Sequence, residues 1–478
     1  MSLCKRVIAR LDVKGTRLIK GINFEGLRVL GDACLVAKKY AEQGVDEIFY
    51  SDAVASLYGR NSLSEVLTTT TKNVFVPITA GGAIRTVEDG RNLLAAGADK
   101  LAINTAAVKN PELIKQLALK FGRQCVVVSI QARKSPIKDS WDVMIESGRE
   151  KSGLDLFDWI TKIQDLGAGE ILITSVDKDG TNEGPDYELF KKTSSIIKVP
   201  LIFGGGVASK NHIKKIIDSN YNFSAITIGS ALHHEKLFLK DVKNSYEQNN
   251  QQIRPLITLK DVPILRKKYK IAIIDYQMGN VQSLINAIEK IGGQPLLTNS
   301  PQSLDSDLWI LPGVGTFPEG ISQLENLDLV QAIQERHKKG LPLMGICLGM
   351  QLFFKKGFED ELTNGLSLFP GDVKKLDVTK DDQYETWPHV GWNKIETVGE
   401  VNKDLSNFDS KFQYFVHGYA IEYNNLLEEN ILFKTRFGNN NFISGILEKK
   451  TVGLQFHPER SGRVGLNLLA DLVQYICD

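Results

Sequence analysis

The 478-residue chain is 42% hydrophobic, enough to fill two or three cores, so a multidomain globular protein is expected. A formal charge of +1 gives no basis for binding nucleic acid, and the apolar runs are strand-length, short of the roughly 20 residues that span a membrane. Met1 to Arg10 lacks a signal-peptide core, and Cys4, Cys34, Cys125, Cys347 and Cys477 are scattered without a CxxC pair, which points to a reducing cytoplasm and away from disulfides, metal or a bound cofactor.

From Arg6 to about His234, β-rich runs alternate with helical patterns. Strands are expected at Arg6–Asp12, Glu47–Asp52, Phe75–Ala80, Lys100–Asn104, Cys125–Ile130, Glu170–Ser175, Pro200–Gly204 and Ala225–Gly229. Eight βα units in about 235 residues suggest a (β/α)8 barrel. An internal repeat supports it. Val45-Asp46-Glu47-Ile48 returns as Ala168-Gly169-Glu170-Ile171, Val76-Pro77-Ile78 with Gly81-Gly82 as Val199-Pro200-Leu201 with Gly204-Gly205-Gly206, and Ile103-Asn104-Thr105-Ala106 as Ile228-Gly229-Ser230-Ala231. The offset is roughly 120–125 residues, so the barrel reads as two four-unit halves in which Asp12 pairs with Gln131.

Residues 1–241 are therefore assigned to the barrel. The polar stretch Asn244 to Gln252 and the basic run Arg266-Lys267-Lys268 mark 242–269 as a linker. A second α/β domain, 270–478, opens on Ile271-Ala272-Ile273-Ile274-Asp275 and ends in a β-rich region.

Barrel sites lie at the C-terminal ends of the strands. There Gly81-Gly82, Asp179-Gly180-Thr181, Gly204-Gly205-Gly206 and Gly229-Ser230 offer backbone N–H groups suited to phosphate, and two symmetry-related sets imply a ligand phosphorylated at both ends. Lys20, on the first loop, can add charge. Asp12, last in its strand, sits where a catalytic carboxylate belongs. Its counterpart Gln131 cannot ionise or carry a proton.

The second domain carries the most informative stretch. Gly345-Ile346-Cys347-Leu348-Gly349 follows the apolar run Leu341-Pro342-Leu343-Met344, and about 110 residues later comes Gln455-Phe456-His457-Pro458-Glu459. A cysteine at a strand-to-helix turn with a later His-x-Glu supplies a nucleophile, a base and a group to orient the base. Flanking glycines allow the bend, the helix start favours thiolate, and neighbouring N–H groups can hold an oxyanion.

Taken together the chain resembles imidazole glycerol phosphate synthase over nearly its whole length. The barrel match rests on Leu11-Asp12-Val13-Lys14, Lys20-Gly21-Ile22-Asn23-Phe24, the run Ile103 to Pro111, and Asp179-Gly180-Thr181. The match to a class I glutamine amidotransferase rests on Asp275-Tyr276, Pro312-Gly313-Val314-Gly315, the Cys347 turn, Pro388 to Asn393, Phe415-Val416-His417 and Gln455 to Glu459. The resemblance implies that Cys347 attacks the amide of L-glutamine, with His457 as proton shuttle and Glu459 as its orienter. It further implies that Leu348 N–H and the Val314–Gly315 strand form the oxyanion hole, that Gln351 holds glutamine, and that ammonia crosses the barrel past a gate of Arg6, Glu47, Lys100 and Glu170. Lys20, Gly82, Asn104, Thr105, Gln131, Asp179, Gly180, Thr181, Gly206, Gly229 and Ser230 would then face a phosphorylated small-molecule substrate, with Asp12 catalytic. Asp99 and Arg460 would dock the domains as a rim ion pair.

Three features depart from the family pattern. Gln131 replaces a second aspartate, Gly81-Gly82-Ala83 replaces a triple glycine, and Val54-Ala55-Ser56-Leu57-Tyr58-Gly59-Arg60 is not the usual loop. Losing a general acid or base lowers a rate by about 10²–10⁴. Related barrel–glutaminase pairs supply ammonia for acetamidino modification of bacterial surface sugars, so a second expectation is a conduit serving a sugar-modifying amidotransferase partner. A silent phosphate-binding scaffold is the third.

Overall fold

The computed structural model describes residues 3–53, 63–82, 84–256, 262–300, 305–378, 386–399, 405–423 and 426–478. The loop 54–60 and Ala83, two of the departures, lie outside the described residues. Among the described residues no helix is long and apolar enough to cross a membrane.

β1 (Arg6–Lys14) leads into a hairpin of β2 (Arg17–Ile22) and β3 (Glu25–Asp32). β4 (Glu47–Asp52), β5 (Ile78–Gly81), β6 (Lys100–Ile103) and β7 (Val126–Lys134) follow, then a second hairpin of β8 (Trp141–Ile145) and β9 (Glu150–Asp155). β10 (Glu170–Ser175), β11 (Leu201–Gly204) and β12 (Ala225–Ile228) complete the ring, which closes through parallel β7–β10 and β12–β1 pairing. The fold is the expected (β/α)8 barrel. Both hairpins extend repeat-related strands, beside Asp12 on β1 and Gln131 on β7, so the two-fold repeat includes elements that the sequence motifs did not show.

Strand alternation sorts the residues of β1. Val7, Ala9, Leu11 and Val13 pack outward against the helices. Arg6, Ile8, Arg10 and Asp12 therefore line the lumen from base to mouth. Ile8 joins Phe49, Ala102, Val127, Leu172, Ile202 and Ala225 in an apolar layer midway along the barrel. The expected strand from Phe75 begins only at Ile78. Pro77 has no N–H for a ladder, and Phe75 packs instead into the core of the second domain, its carbonyl accepting from Gly462 N–H at 3.0 Å.

The expected linker begins too early. Helix Leu239–Gln248 crosses residue 242, with Leu239, Val242 and Tyr246 in the barrel core. Their i, i+3, i+7 spacing makes one apolar stripe inside a polar run, which composition alone concealed. Lys243 and Arg254 are also buried, pairing with Asp46 at 2.7 and 2.8 Å.

In the second domain β13 (Lys270–Ile274), β14 (Gln294–Thr298), β15 (Leu308–Leu311) and β16 (Leu343–Ile346) form a parallel sheet. β17 (His389–Lys394) and β18 (Phe412–His417) make a separate antiparallel ribbon. β19 (Asn440–Glu448) and β20 (Thr451–Leu454) rejoin the main sheet, β20 parallel to β16. The ribbon meets the barrel base: Trp392 and Tyr414 belong to the barrel's core, Trp392 Nε1 donates to Asp46 O at 3.1 Å, and the Arg254 guanidinium lies 4.1 Å from the Trp392 ring centroid.

Candidate active site

Cys347 ends β16 and precedes the short helix Leu348–Leu352, with φ +53° and ψ −109°. A non-glycine residue in this region is strained and persists only where its surroundings impose it. They do here. A Cβ on Gly349 would lie 1.8 Å from Leu311 O, and one on Gly345 would lie 2.6 Å from Phe353. Both glycines are required by close approach, and the turn between them lifts the sulfur out of the sheet.

β16 and β20 run side by side in the same direction, with Ile346 opposite Leu454. The chains leaving their ends therefore bring Cys347 and His457 together. His457 Nδ1 is 2.7 Å from Glu459 Oε1. Burial opposes a charged ring, but the Glu459 carboxylate and the Cys347 sulfur outweigh it and hold the His457 pKa well above its ordinary value. His457 Nε2 has no well-formed hydrogen bond among the described residues, so it is available to the thiol proton.

The expected oxyanion hole is not assembled in this conformation. Leu348 N–H donates to Gly313 O, and Val314 N–H to Met278 O, both at 3.4 Å. Long bonds such as these are weak, so local backbone movement can free the donors. Gly315, Leu348 and Gln351 do line the cavity above Cys347, together with Glu359, His417, Tyr419 and, from the barrel, Gln124.

On the barrel side of the interface, Arg6 donates to Glu47 at 2.8 Å and to Glu170, while Lys100 meets Glu47 and Glu170 at 2.8 and 2.6 Å. All four are buried. Two cations and two carboxylates thus form a neutral, closed ring across the barrel base, and a Cβ on Gly391 of the ribbon would lie 3.7 Å from Arg6.

Asp99 and Arg460 are not the exposed rim pair the sequence suggested. Arg460 Nε is 2.9 Å from Asp99 Oδ1, both residues are buried, and Arg460 also donates to Val74 O at 3.1 Å and Gly97 O at 2.6 Å. Asp99 accepts in addition from Ile78 N–H and Asn280 Nδ2 at 2.7 and 3.0 Å.

At the mouth, Gly82, Asn104, Thr105 and Gln131 line a cavity of about 310 Å3, with Arg85 and Lys109 among its cations. Gln131 Oε1 is buried there without a partner among the described residues. Lys20, Asp12 and Asp179 meet beside it: Lys20 Nζ is 2.7 Å from Asp12 Oδ2 and 2.8 Å from Asp179 Oδ2. Gly180 and Gly206 have positive φ, and a Cβ on either would strike backbone oxygen, of Gly21 at 2.3 Å and of Gly184 at 2.1 Å. Thr181 Oγ1 donates to Lys178 O at 2.9 Å, and Ser230 Oγ accepts from Asn182 at 3.4 Å. Asn104 and Gly229 share a backbone conformation, φ/ψ −130°/−87° and −118°/−85°, each before a short helix, so both halves present the same turn.

Among the described residues no group of three or more His, Cys, Asp or Glu side chains could hold a metal ion. Residues 6–238 match the family of histidine biosynthesis proteins and 272–473 that of class-I glutamine amidotransferases. The imidazole glycerol phosphate synthase subunit HisF of Legionella pneumophila is 54% identical over 202 residues, 42% of this chain and 95% of that protein. The subunits of the same name from Methanococcus vannielii and a Clostridium botulinum strain are 42% and 40% identical, each covering 53% of this chain and 99% of their own length. The chain belongs to the imidazole glycerol phosphate synthase family. It is an enzyme that joins an imidazole glycerol phosphate synthase barrel to a glutamine amidotransferase domain in one polypeptide.

Two further residues at the sites, Arg10 and Glu359, lie outside the family motifs quoted above. Arg10 spans the lumen beneath the mouth, donating to Asp12 at 2.9 Å on its own strand and to Thr174 at 3.0 Å on β10. Its alternation with Arg6, Ile8 and Asp12 was the available clue. Burial would raise the Asp12 pKa, but Arg10 and Lys20 outweigh it and hold the carboxylate ionised, well below the usual range. Glu359, in a loop after the nucleophile, has no motif at all. Burial pushes its carboxyl up to about 8, against a hydrogen bond from Phe317 N–H at 2.9 Å.

Proposed function

We propose that the chain hydrolyses glutamine at Cys347 and passes the ammonia along the barrel axis to a bisphosphorylated ribotide at the mouth, as in histidine biosynthesis. Cys347 attacks the amide carbon, and the pair of electrons released from the carbonyl is held as an oxyanion once Leu348 and Val314 N–H groups turn inward. His457 takes the thiol proton and returns it to the leaving nitrogen, with Glu459 holding the ring. Water then cleaves the thioester, giving glutamate. What supports the reading above all is that Gln124, just before β7, walls the Cys347 cavity, at the same end of the barrel where Arg6, Glu47, Lys100 and Glu170 open their strands and form the ring. Ammonia is small and neutral, and the apolar layer above the ring suits it better than water or ions. Wild-type enzyme supplied with the ribotide and glutamine is expected to yield glutamate and an imidazole product together.

One observation favours a second reading, a conduit for a sugar-modifying partner. Asp12 is committed to two cations, and Gln131 cannot carry a proton. The barrel then binds a phosphorylated ligand without cyclising it. Ribotide with ammonium salt bypasses the glutaminase and tests this directly. Turnover in the wild type supports the cyclase; no turnover, with about 10²-fold or greater recovery in Gln131→Asp, supports the conduit.

Glu359 is expected to bind the substrate's α-ammonium. Because its carboxyl titrates near 8, raising the pH charges it. The glutamine KM is therefore expected to fall from about pH 7 to about pH 8.5, and Glu359→Gln to raise KM and flatten that slope. A wild-type KM that does not change with pH rules this role out.

A further inference from the structure

Gln455 lies within the Gln455-to-Glu459 motif, yet the triad does not use it. Its side chain is fully buried, and Nε2 lies 3.8 Å from the Cys347 sulfur. We propose that Gln455 is a catalytic residue of the glutaminase whose amide N–H donates to the Cys347 sulfur and stabilises it as thiolate. The proposal rests on the glutaminase reading above and adds a second group acting on the reacting atom.

The direction of this bond follows from the bonds behind it. Gln351 Nε2 donates to Tyr419 O at 2.8 Å, and a carbonyl can only accept. The same nitrogen donates to Gln455 Oε1 at 3.2 Å, which turns the Gln455 nitrogen to the sulfur. The Tyr419 carbonyl also lies 2.8 Å from His417 Nδ1, so that nitrogen carries the hydrogen. His417 Nε2 then accepts from His389 Nδ1 at 3.1 Å, and His389 Nε2 accepts from Asn393 Nδ2 at 3.3 Å, whose amide also donates to Arg436 O at 2.9 Å. Carbonyl oxygens fix the chain's polarity along its length. Both imidazoles are neutral, because burial holds their pKa values far below the ordinary range. The orientation of Gln455 is therefore imposed, and among the described residues no other acceptor takes its amide.

A buried glutamine could be merely a satisfied core group. The chemistry separates the two cases, since an N–H donor on sulfur favours S⁻ over S–H whereas a structural amide does not. The titratable groups facing the sulfur are His457 from the loop after β20, Tyr276 from the loop after β13 and Cys125 just before β7, with Glu359, His417 and Tyr419 lining the same cavity. None of them is changed by altering Gln455.

The test is the rate of iodoacetamide alkylation at Cys347 against pH, followed by peptide mass spectrometry, in full-length wild type and Gln455→Met. The midpoint is expected to move up by about one pH unit, with kcat for glutamine lowered about tenfold and KM little changed. An unchanged midpoint in a variant that melts like the wild type overturns the proposal. Gln351→Met, which frees the Gln455 amide to rotate, is expected to move the midpoint the same way and serves if Gln455→Met does not fold; no shift there is equally decisive against it. Alkylation does not require glutamine. A wild type that releases no glutamate therefore defeats the glutaminase reading separately, without deciding the role of Gln455.

Discussion

Replacing Cys347 by alanine is expected to lower glutamate release by at least about 10⁴-fold, because the reaction loses its nucleophile and no other thiol can reach the amide. Cys125 is nearest in effect but sits in the barrel wall, fully buried. His457→Ala should fall nearly as far, and the double variant scarcely further, since a nucleophile and its base act as one unit. Any reaction at the barrel mouth fed with ammonium salt should survive all three changes. Glutamate release that persists in Cys347→Ala removes the triad as the site. The wild type itself should turn over slowly with glutamine alone. Its Leu348 and Val314 N–H groups are engaged with Gly313 and Met278, and a missing oxyanion donor lowers kcat by about 10²–10³.

The parts of this arrangement that were legible in the sequence are those set by local backbone demands. Glu47–Asp52 and Glu170–Ser175 match observed strands end to end because each holds a short apolar segment between polar ends. Gly345 and Gly349 announced the turn because only glycine fits it. What the sequence hid depends on partners distant in the chain. Residues 242–254 look like solvent-exposed linker until Asp46, about 200 positions away, receives Lys243 and Arg254. The hairpins at 17–32 and 141–155 were missed because β3 and β9 are largely exposed and carry little apolar alternation. The state of the oxyanion donors is a matter of peptide orientation, to which side-chain identity at Val314 or Leu348 gives no access.

Charge removal at Asp99 or Arg460 is expected to destabilise the two-domain structure by about 3–5 kcal/mol, well beyond the value of about 0–1 kcal/mol for an exposed pair. The difference lies in burial. Arg460→Ala leaves the Asp99 carboxylate in a dry interface and strands the carbonyls of Val74 and Gly97. Asp99→Ala leaves a guanidinium there and deprives Ile78 N–H and Asn280 of their acceptor. Asp99→Leu combined with Arg460→Met removes both charges, so it should lose less than either alanine variant, because desolvation of two ions disappears along with their attraction. Urea unfolding of the full chain, read at Trp392 in the interface, measures all three. A double variant that loses the sum of the two single losses would mean that the ions act independently, and that shape alone holds the glutaminase against the barrel.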